Sequence, residues 1–132
     1  MRTLIPILLL LVAALPTAAT AGDTTPAQLL EGWRAEAGAG ADFSAARGRQ
    51  LFERPGRDWS CSTCHTNDPR APGRHKITGK AIQPLAPTIN PQRFSDRAKV
   101  EKWFRRNCRD VLERECTALE KGDLLSWLLT LH

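Results

Sequence analysis

The stretch Cys61-Ser62-Thr63-Cys64-His65 decides how the rest of this chain is read. Two thiols at this spacing reach the two vinyl groups of one porphyrin, and the adjacent imidazole is delivered to one face of the iron. This is the C-x-x-C-H pattern of covalent c-type haem attachment. Paired cysteines also serve thioredoxin-like redox sites and zinc sites. The first sits in a βαβ context, and no sustained period-two alternation marks strands here. The second needs another C-x-x-C, whereas Cys108 and Cys116 are eight apart. One haem c is therefore the expected cofactor, with Cys61 and Cys64 as thioether anchors and His65 as an axial ligand.

Upstream, Met1-Arg2-Thr3 opens a run through Leu4, Ile5 and Ile7 to Leu15, closed by Ala19-Thr20-Ala21. A basic start, about a dozen apolar residues and an A-x-A site are the three parts of a secretory signal. Pro6 and Pro16 interrupt the run, which falls short of the roughly 20 residues of a membrane-spanning helix. Cleavage after Ala21 is expected, so residues 1–21 are a signal peptide and 22–132 a single monohaem cytochrome c domain. That assigns the protein to the periplasm, an oxidising compartment, and not to the membrane interior. The whole chain has 132 residues and a net charge of +5. That length excludes a multidomain enzyme or a large ligand-binding barrel. With Arg2 removed the balance is +4, and haem propionates remove up to two units more.

Four helices are expected. Thr25-Pro26-Ala27-Gln28 carries a capping threonine, a first-turn proline and a Gln three residues on. Leu29, Leu30 and Trp33 follow before Gly38-Ala39-Gly40 ends the helix. A second runs from about Asp42 to Glu53, and Gly48 inside it points to a close backbone approach. A third begins at Ser95 or Asp96. The last begins at the capping box Thr117-Ala118-Leu119-Glu120 and carries Leu124, Leu125, Trp127, Leu128, Leu129 and Leu131. Between Pro55 and Pro91 the chain is rich in Pro, Gly and basic residues, as a functional or wrapping loop is.

Cys108 and Cys116 form an even pair at a helix junction of an exported protein, which reads as a disulfide; free or metal-binding thiols are the alternative. The one methionine is Met1, so the His/Met iron of common small cytochromes is excluded. His75, His132, a lysine, an asparagine or an open position remain for the sixth site. Val100, Trp103, Phe104, Asn107 and Val111 share one helical face, which puts the Asn107 amide on an apolar stripe. On pattern alone it either caps the helix end or meets the iron. His75 lies in a Gly- and Lys-containing loop and is expected in solvent, and His132 at a frayed end.

The segments Cys61-Ser62-Thr63-Cys64-His65-Thr66-Asn67-Asp68-Pro69, Thr78-Gly79-Lys80, Pro84-Leu85-Ala86-Pro87, Arg93-Phe94-Ser95-Asp96 and Asn107-Cys108 with Cys116 resemble one small family. It is that of exported monohaem cytochromes that include cytochrome c double-prime and the sphaeroides haem protein. The resemblance covers nearly all of the chain after residue 21. It implies an all-α, class I cytochrome c-like helical fold with an additional N-terminal helix, a covalent haem c and a Cys108–Cys116 disulfide. It also implies that the residue before Cys108 binds the oxidised iron, His in one type and Asn in the other, so Asn107 takes that part here. A dihaem cytochrome c and a membrane b-type cytochrome are implied as redox partners. By analogy with class I cytochromes, a carbonyl of Pro84–Pro87 is the expected hydrogen-bond partner of His65.

An amide oxygen is a hard, weak donor, better matched to ferric than to ferrous iron. The function expected is electron transfer, with Asn107 released on reduction so that the haem binds O2, NO or similar diatomics. The rivals are a simple carrier with fixed axial ligands and an O2 or NO reductase or oxygenase. No acid/base group accompanies the iron, so a catalytic role is the weaker expectation. Arg70, Arg74, Lys76 and Lys80 are candidates to ring an exposed haem edge for an acidic partner; a merely solvated loop is the alternative. Nucleic-acid binding is not expected.

Overall fold

The computed structural model describes residues 24–132, so the expected signal segment lies outside the described residues. Helices α1 (Pro26–Ala37), α2 (Ala45–Glu53), α3 (Cys61–His65), α4 (Arg97–Leu112) and α5 (Ala118–Leu128) carry the fold. Among the described residues none is long and apolar enough to cross a membrane.

The helix starts follow the capping chemistry of the sequence. Thr25 and Gln28 satisfy each other's backbone amides, as do Thr117 and Glu120. Ser44 caps α2, which begins three residues later than the expected Asp42, because the Ser44 hydroxyl accepts from Arg47 N at 3.2 Å. Asp96 caps α4 by accepting from Lys99 N at 2.9 Å. Side-chain acceptors at these positions satisfy amides that the helix itself leaves unpaired.

The core is built where α1 and α2 meet α5. Leu29 and Trp33 of α1, Phe52 of α2, Phe94 from the loop, and Leu124, Leu125, Trp127 and Leu128 of α5 form one buried cluster. Each large apolar side chain buried this way stabilises the fold by roughly 1.5–3 kcal/mol. Aromatic pairs stitch the elements: Phe52 with Trp127 at 5.0 Å, and Trp33 edge-on to Phe104 at 5.4 Å.

The α2–α5 crossing depends on glycine, as the position of Gly48 led us to expect. A Cβ there would lie 2.5 Å from the Asp123 carbonyl carbon and 2.8 Å from Leu124 N. The crossing is locked by Asp123, 3% exposed. Its carboxylate accepts from Ser44 N (2.6 Å), Arg47 Nε (2.7 Å) and Arg47 Nη2 (2.8 Å). Burying a carboxylate is costly unless it is paired, and three charge-assisted bonds meet that need.

Between residues 55 and 91 the chain is more ordered than its composition indicates. The turn α3 was not foreseen, nor was a minimal antiparallel ribbon of β1 (Gly73–Arg74) and β2 (Ala81–Ile82), paired Gly73↔Ile82 and Arg74↔Ala81. Two residues per strand are too few to show any alternation. The segment is organised by main-chain bonds, with Pro69 O accepting from both Leu85 N (2.8 Å) and Ala86 N (3.0 Å).

Candidate haem site

α3 is a single turn whose ends are both fixed. At its start Ser60 N donates to Thr63 Oγ1 at 2.9 Å. At its end Thr66 takes a φ of +63°, a left-handed conformation that costs a β-branched residue about 1–3 kcal/mol. The Thr66 hydroxyl donates to Asp68 O at 2.6 Å and accepts from Asp68 N at 3.2 Å. The helix therefore stops at His65. Cys61 and Cys64 lie one turn apart, both partly buried and neither in a disulfide.

Backbone presses on this turn from two sides. Gly73 of β1 lies against Cys64, so that a Cβ there would sit 3.1 Å from His65 Cα. The approach to α3 is pinned by Gly56, whose amide donates to Trp59 O at 2.6 Å and whose Cα faces the Val111 carbonyl of α4. Gly56 thus joins the attachment turn to the helix bearing Asn107. Neither contact is visible in the sequence, because each joins residues distant along the chain or without a periodic signal.

The His65 ring stands 6.4 Å from the Phe52 ring. Burial, helped by the positive charge of Arg93, pushes its pKa down to about 4, so it is a neutral imidazole with a lone pair available to a metal. Burial pushes the Cys61 thiol up to about 11; it stays protonated near neutral pH, unlike a zinc thiolate or a reactive redox cysteine. The expected link from His65 to a carbonyl of Pro84–Pro87 is not what the structure places there. Pro84 O accepts from Arg93 Nε at 3.0 Å and from Asn90 Nδ2 at 3.3 Å, and Gln83 O from Arg93 Nη2 at 2.7 Å. Arg93 thus occupies the first carbonyl of that stretch, its half-buried guanidinium needing acceptors where water is scarce.

Asn107 lies inside α4, not at its end. The C-cap is Glu113, with φ +58°, so the helix-capping reading of Asn107 is set aside. Val111 is buried and Val100 and Phe104 are partly buried, whereas Trp103 and Asn107 are exposed. The stripe read from the sequence therefore splits, with only part of it packed on the core. The side of α4 that faces α1 and α5 is also anchored by polar contacts. Glu101 accepts from Trp33 Nε1 at 2.7 Å and from Lys121 Nζ at 2.6 Å, and Arg97 Nη2 donates to Gln28 O at 3.0 Å. Cys108, next to Asn107, is bonded to Cys116 with Cα atoms 5.7 Å apart, so the expected disulfide is present. His75 is exposed, its Nδ1 accepting from Ile77 N and Thr78 N, and His132 is exposed with its carbonyl accepting from Arg70.

The donor set fits a haem. Among the described residues no group of three or more His, Cys, Asp or Glu side chains is placed to hold a bare metal ion. An iron already held by four porphyrin nitrogens needs only axial ligands, and the paired thiols match its vinyl groups. Fold and site together define a small c-type cytochrome with one covalently attached haem c.

Comparison with known proteins is consistent with that class and narrows it. Residues 38–128 match the family described as a domain of unknown function, DUF1924. The cytochrome c-type protein SHP of Cereibacter sphaeroides is 52% identical over 126 residues, which is 91% of this chain and 95% of the relative. Cytochrome c'' of Methylophilus methylotrophus is 44% identical over 80 residues, 60% of this chain and 56% of that protein. Among solved structures, oxidised SHP, described as an oxygen-binding cytochrome c, superposes with a TM-score of 0.74 at 52% identity, covering 83% of this chain and 99% of that one. Oxidised cytochrome c'' gives 0.73 at 34% identity, covering 81% and 94%. The chain belongs to this family of small monohaem cytochromes.

Proposed function

We propose that this protein is an exported, periplasmic electron-transfer cytochrome whose sixth iron ligand is Asn107, released on reduction so that small diatomic molecules can bind. The observation that carries the reading is the place of Asn107. It is an amide in mid-helix, with its side chain in no hydrogen bond, one residue from a disulfide that secures the backbone. Its exposed amide is free to turn toward a ligand. The relative described as an oxygen-binding cytochrome c supports the choice of ligand class.

Cys61 and Cys64 would hold the haem through thioethers, and His65 would supply the axial nitrogen. The haem supplies an iron that cycles between ferric and ferrous states and accepts diatomic ligands in an open position. Asn107 presents a hard amide oxygen that favours the ferric state and lets go in the ferrous one. The Glu101 anchor and the Cys108–Cys116 bridge hold α4 while that side chain moves. A dihaem cytochrome c and a membrane b-type cytochrome are the proposed redox partners. The test is the optical and electron-paramagnetic spectrum of ferric holoprotein with and without Asn107→Ala. The reading requires the variant to lose the six-coordinate ferric signature; an unaltered ferric spectrum removes Asn107 from the iron.

A further inference from the structure

The exposed residues of α4 are charged apart from Ala98, Trp103 and Asn107. Successive residues of an α-helix advance by about 100°, which sets Ala98 on the far side of α4 and Trp103 within about 40° of Asn107. The indole and the amide thus adjoin, one turn and about 6 Å apart along the axis. They stand at the margin of the packed stripe of Val100, Phe104 and Val111, and Lys99 and Asp110 begin the charged side beyond them.

Trp103 is 45% exposed, unlike the buried Trp33 and Trp127. Trp33 commits its indole N–H to Glu101 at 2.7 Å, whereas among the described residues that of Trp103 donates to nothing. Its ring is braced by two cations instead. The Arg106 guanidinium carbon lies 5.2 Å from the ring centroid and Lys102 Nζ lies 5.8 Å from it, contacts that steady an indole and leave much of it uncovered. Aromatic surface left open beside an uncharged amide marks a place where a ligand sits. The chain itself supplies the occupant, its haem. The row of Trp103 and Asn107 continues to Val111, whose carbonyl meets Gly56 on the approach to α3. The attachment turn therefore reaches α4 at one end of the row, and the indole stands about 12 Å away at the other.

We infer that Trp103 is a specificity-determining residue of the sixth position: its indole walls the space that Asn107 vacates, admitting diatomic molecules and turning away ligands with a branched alkyl tail. A close-packed aromatic wall acts through shape, because it does not yield to a bulkier ligand without moving. This inference rests on the release of Asn107 proposed above, and the experiment separates the two.

Reduced holoprotein is titrated without oxygen with carbon monoxide, methyl isocyanide and tert-butyl isocyanide, followed in the Soret region. Isocyanides bind ferrous haem where carbon monoxide does but carry an alkyl group. The ratio of methyl to tert-butyl isocyanide affinity therefore measures the room beside Asn107. Wild-type protein should bind carbon monoxide and methyl isocyanide and discriminate against the tert-butyl compound. Trp103→Ala should bind tert-butyl isocyanide at least ~10-fold more tightly, with carbon monoxide affinity within ~3-fold of wild type, since pocket contacts discriminate by about 10–200-fold per methylene. Trp103→Phe, which keeps an aromatic wall, should retain most of the discrimination. Ile77→Ala trims a side chain that is 79% exposed between β1 and β2 and should match wild type. Circular dichroism confirms that each variant is folded; if Trp103→Ala is not, Trp103→Leu carries the comparison. An affinity ratio unchanged in Trp103→Ala, with carbon monoxide still bound, overturns the assignment of Trp103 alone and leaves the indole to a partner outside the chain. Equal relaxation in Ile77→Ala also overturns it. Wild-type protein that binds neither carbon monoxide nor methyl isocyanide overturns the release of Asn107, and the wall with it.

Discussion

Gly48→Ala is the sharpest test of how this fold is held. The new Cβ would fall 2.5 Å from the Asp123 carbonyl carbon and 2.8 Å from Leu124 N, against 3.4 Å for an ordinary contact. It is thus short by about 0.9 and 0.6 Å, and both obstacles are backbone of the facing helix. A side chain can rotate aside; a helix backbone carrying Leu124, Leu125, Trp127 and Leu128 cannot move without loosening the core. Overpacking typically costs about 1–3 kcal/mol, and a backbone clash belongs at the upper end. Alanine returns about 1 kcal/mol through its higher helix propensity. The net loss is about 2 kcal/mol, a fall in Tm of roughly 9 °C for a domain of about 110 residues. The assay is far-ultraviolet circular dichroism of ferric holoprotein on heating, with the Soret band followed in parallel. An unchanged or raised Tm would refute the close crossing of α2 and α5, since helix propensity would then be the dominant effect.

Further predictions follow from the anchors of α4. Glu101→Ala leaves Lys121 and the Trp33 indole without their acceptor and should cost about 2 kcal/mol in urea unfolding; a double-mutant cycle with Lys121→Met should show positive coupling, and additive losses would contradict the shared contact. Acid should weaken the fold in a defined window. Burial raises Glu101, but hydrogen bonds from Lys121 and Trp33 hold it below its ordinary 4.5, and the Arg114 bond does the same for Glu120. Both carboxylates bind protons more readily when unfolded, so their stabilisation is complete above pH 4.5 and is lost as pH falls through the lower folded values. Urea midpoints from pH 7 to pH 3 should fall less steeply in Glu101→Gln/Glu120→Gln protein; an identical slope would sink this account. Cys108→Ser/Cys116→Ser should cost about 2–3 kcal/mol on the chain-entropy model and slow the return of Asn107 after oxidation. An unchanged rebinding rate and spectrum would show that the bridge does not tether the ligand.

Much of the architecture was legible because local chemistry agreed with tertiary structure. The Thr25/Gln28 and Thr117/Glu120 capping pairs, and the leucines of α5, mark their helices directly. Gly48 betrayed a helix crossing because glycine in a helix is unfavourable without one. The Cys61–His65 motif was readable as chemistry, but its single helical turn was too short for any period to appear. Gly56, Gly73 and Arg93 were missed for a different reason. Each acts on backbone that only the fold brings near: Val111, Cys64, and the Gln83 and Pro84 carbonyls. Trp103 shows the limit of a stripe drawn from spacing, since the row it shares with Val111 leaves the core halfway along. The role of Asn107 was undecided by pattern; its place five residues before the end of α4 disposes of the capping alternative.

The most direct measurement of the central claim is titration of reduced holoprotein with carbon monoxide, followed in the Soret region. A sixth position vacated by Asn107 predicts a saturable spectral shift with one carbon monoxide per haem. A reduced spectrum that does not change at saturating carbon monoxide would mean that the ligand stays in place, and that the protein is a carrier with fixed axial coordination.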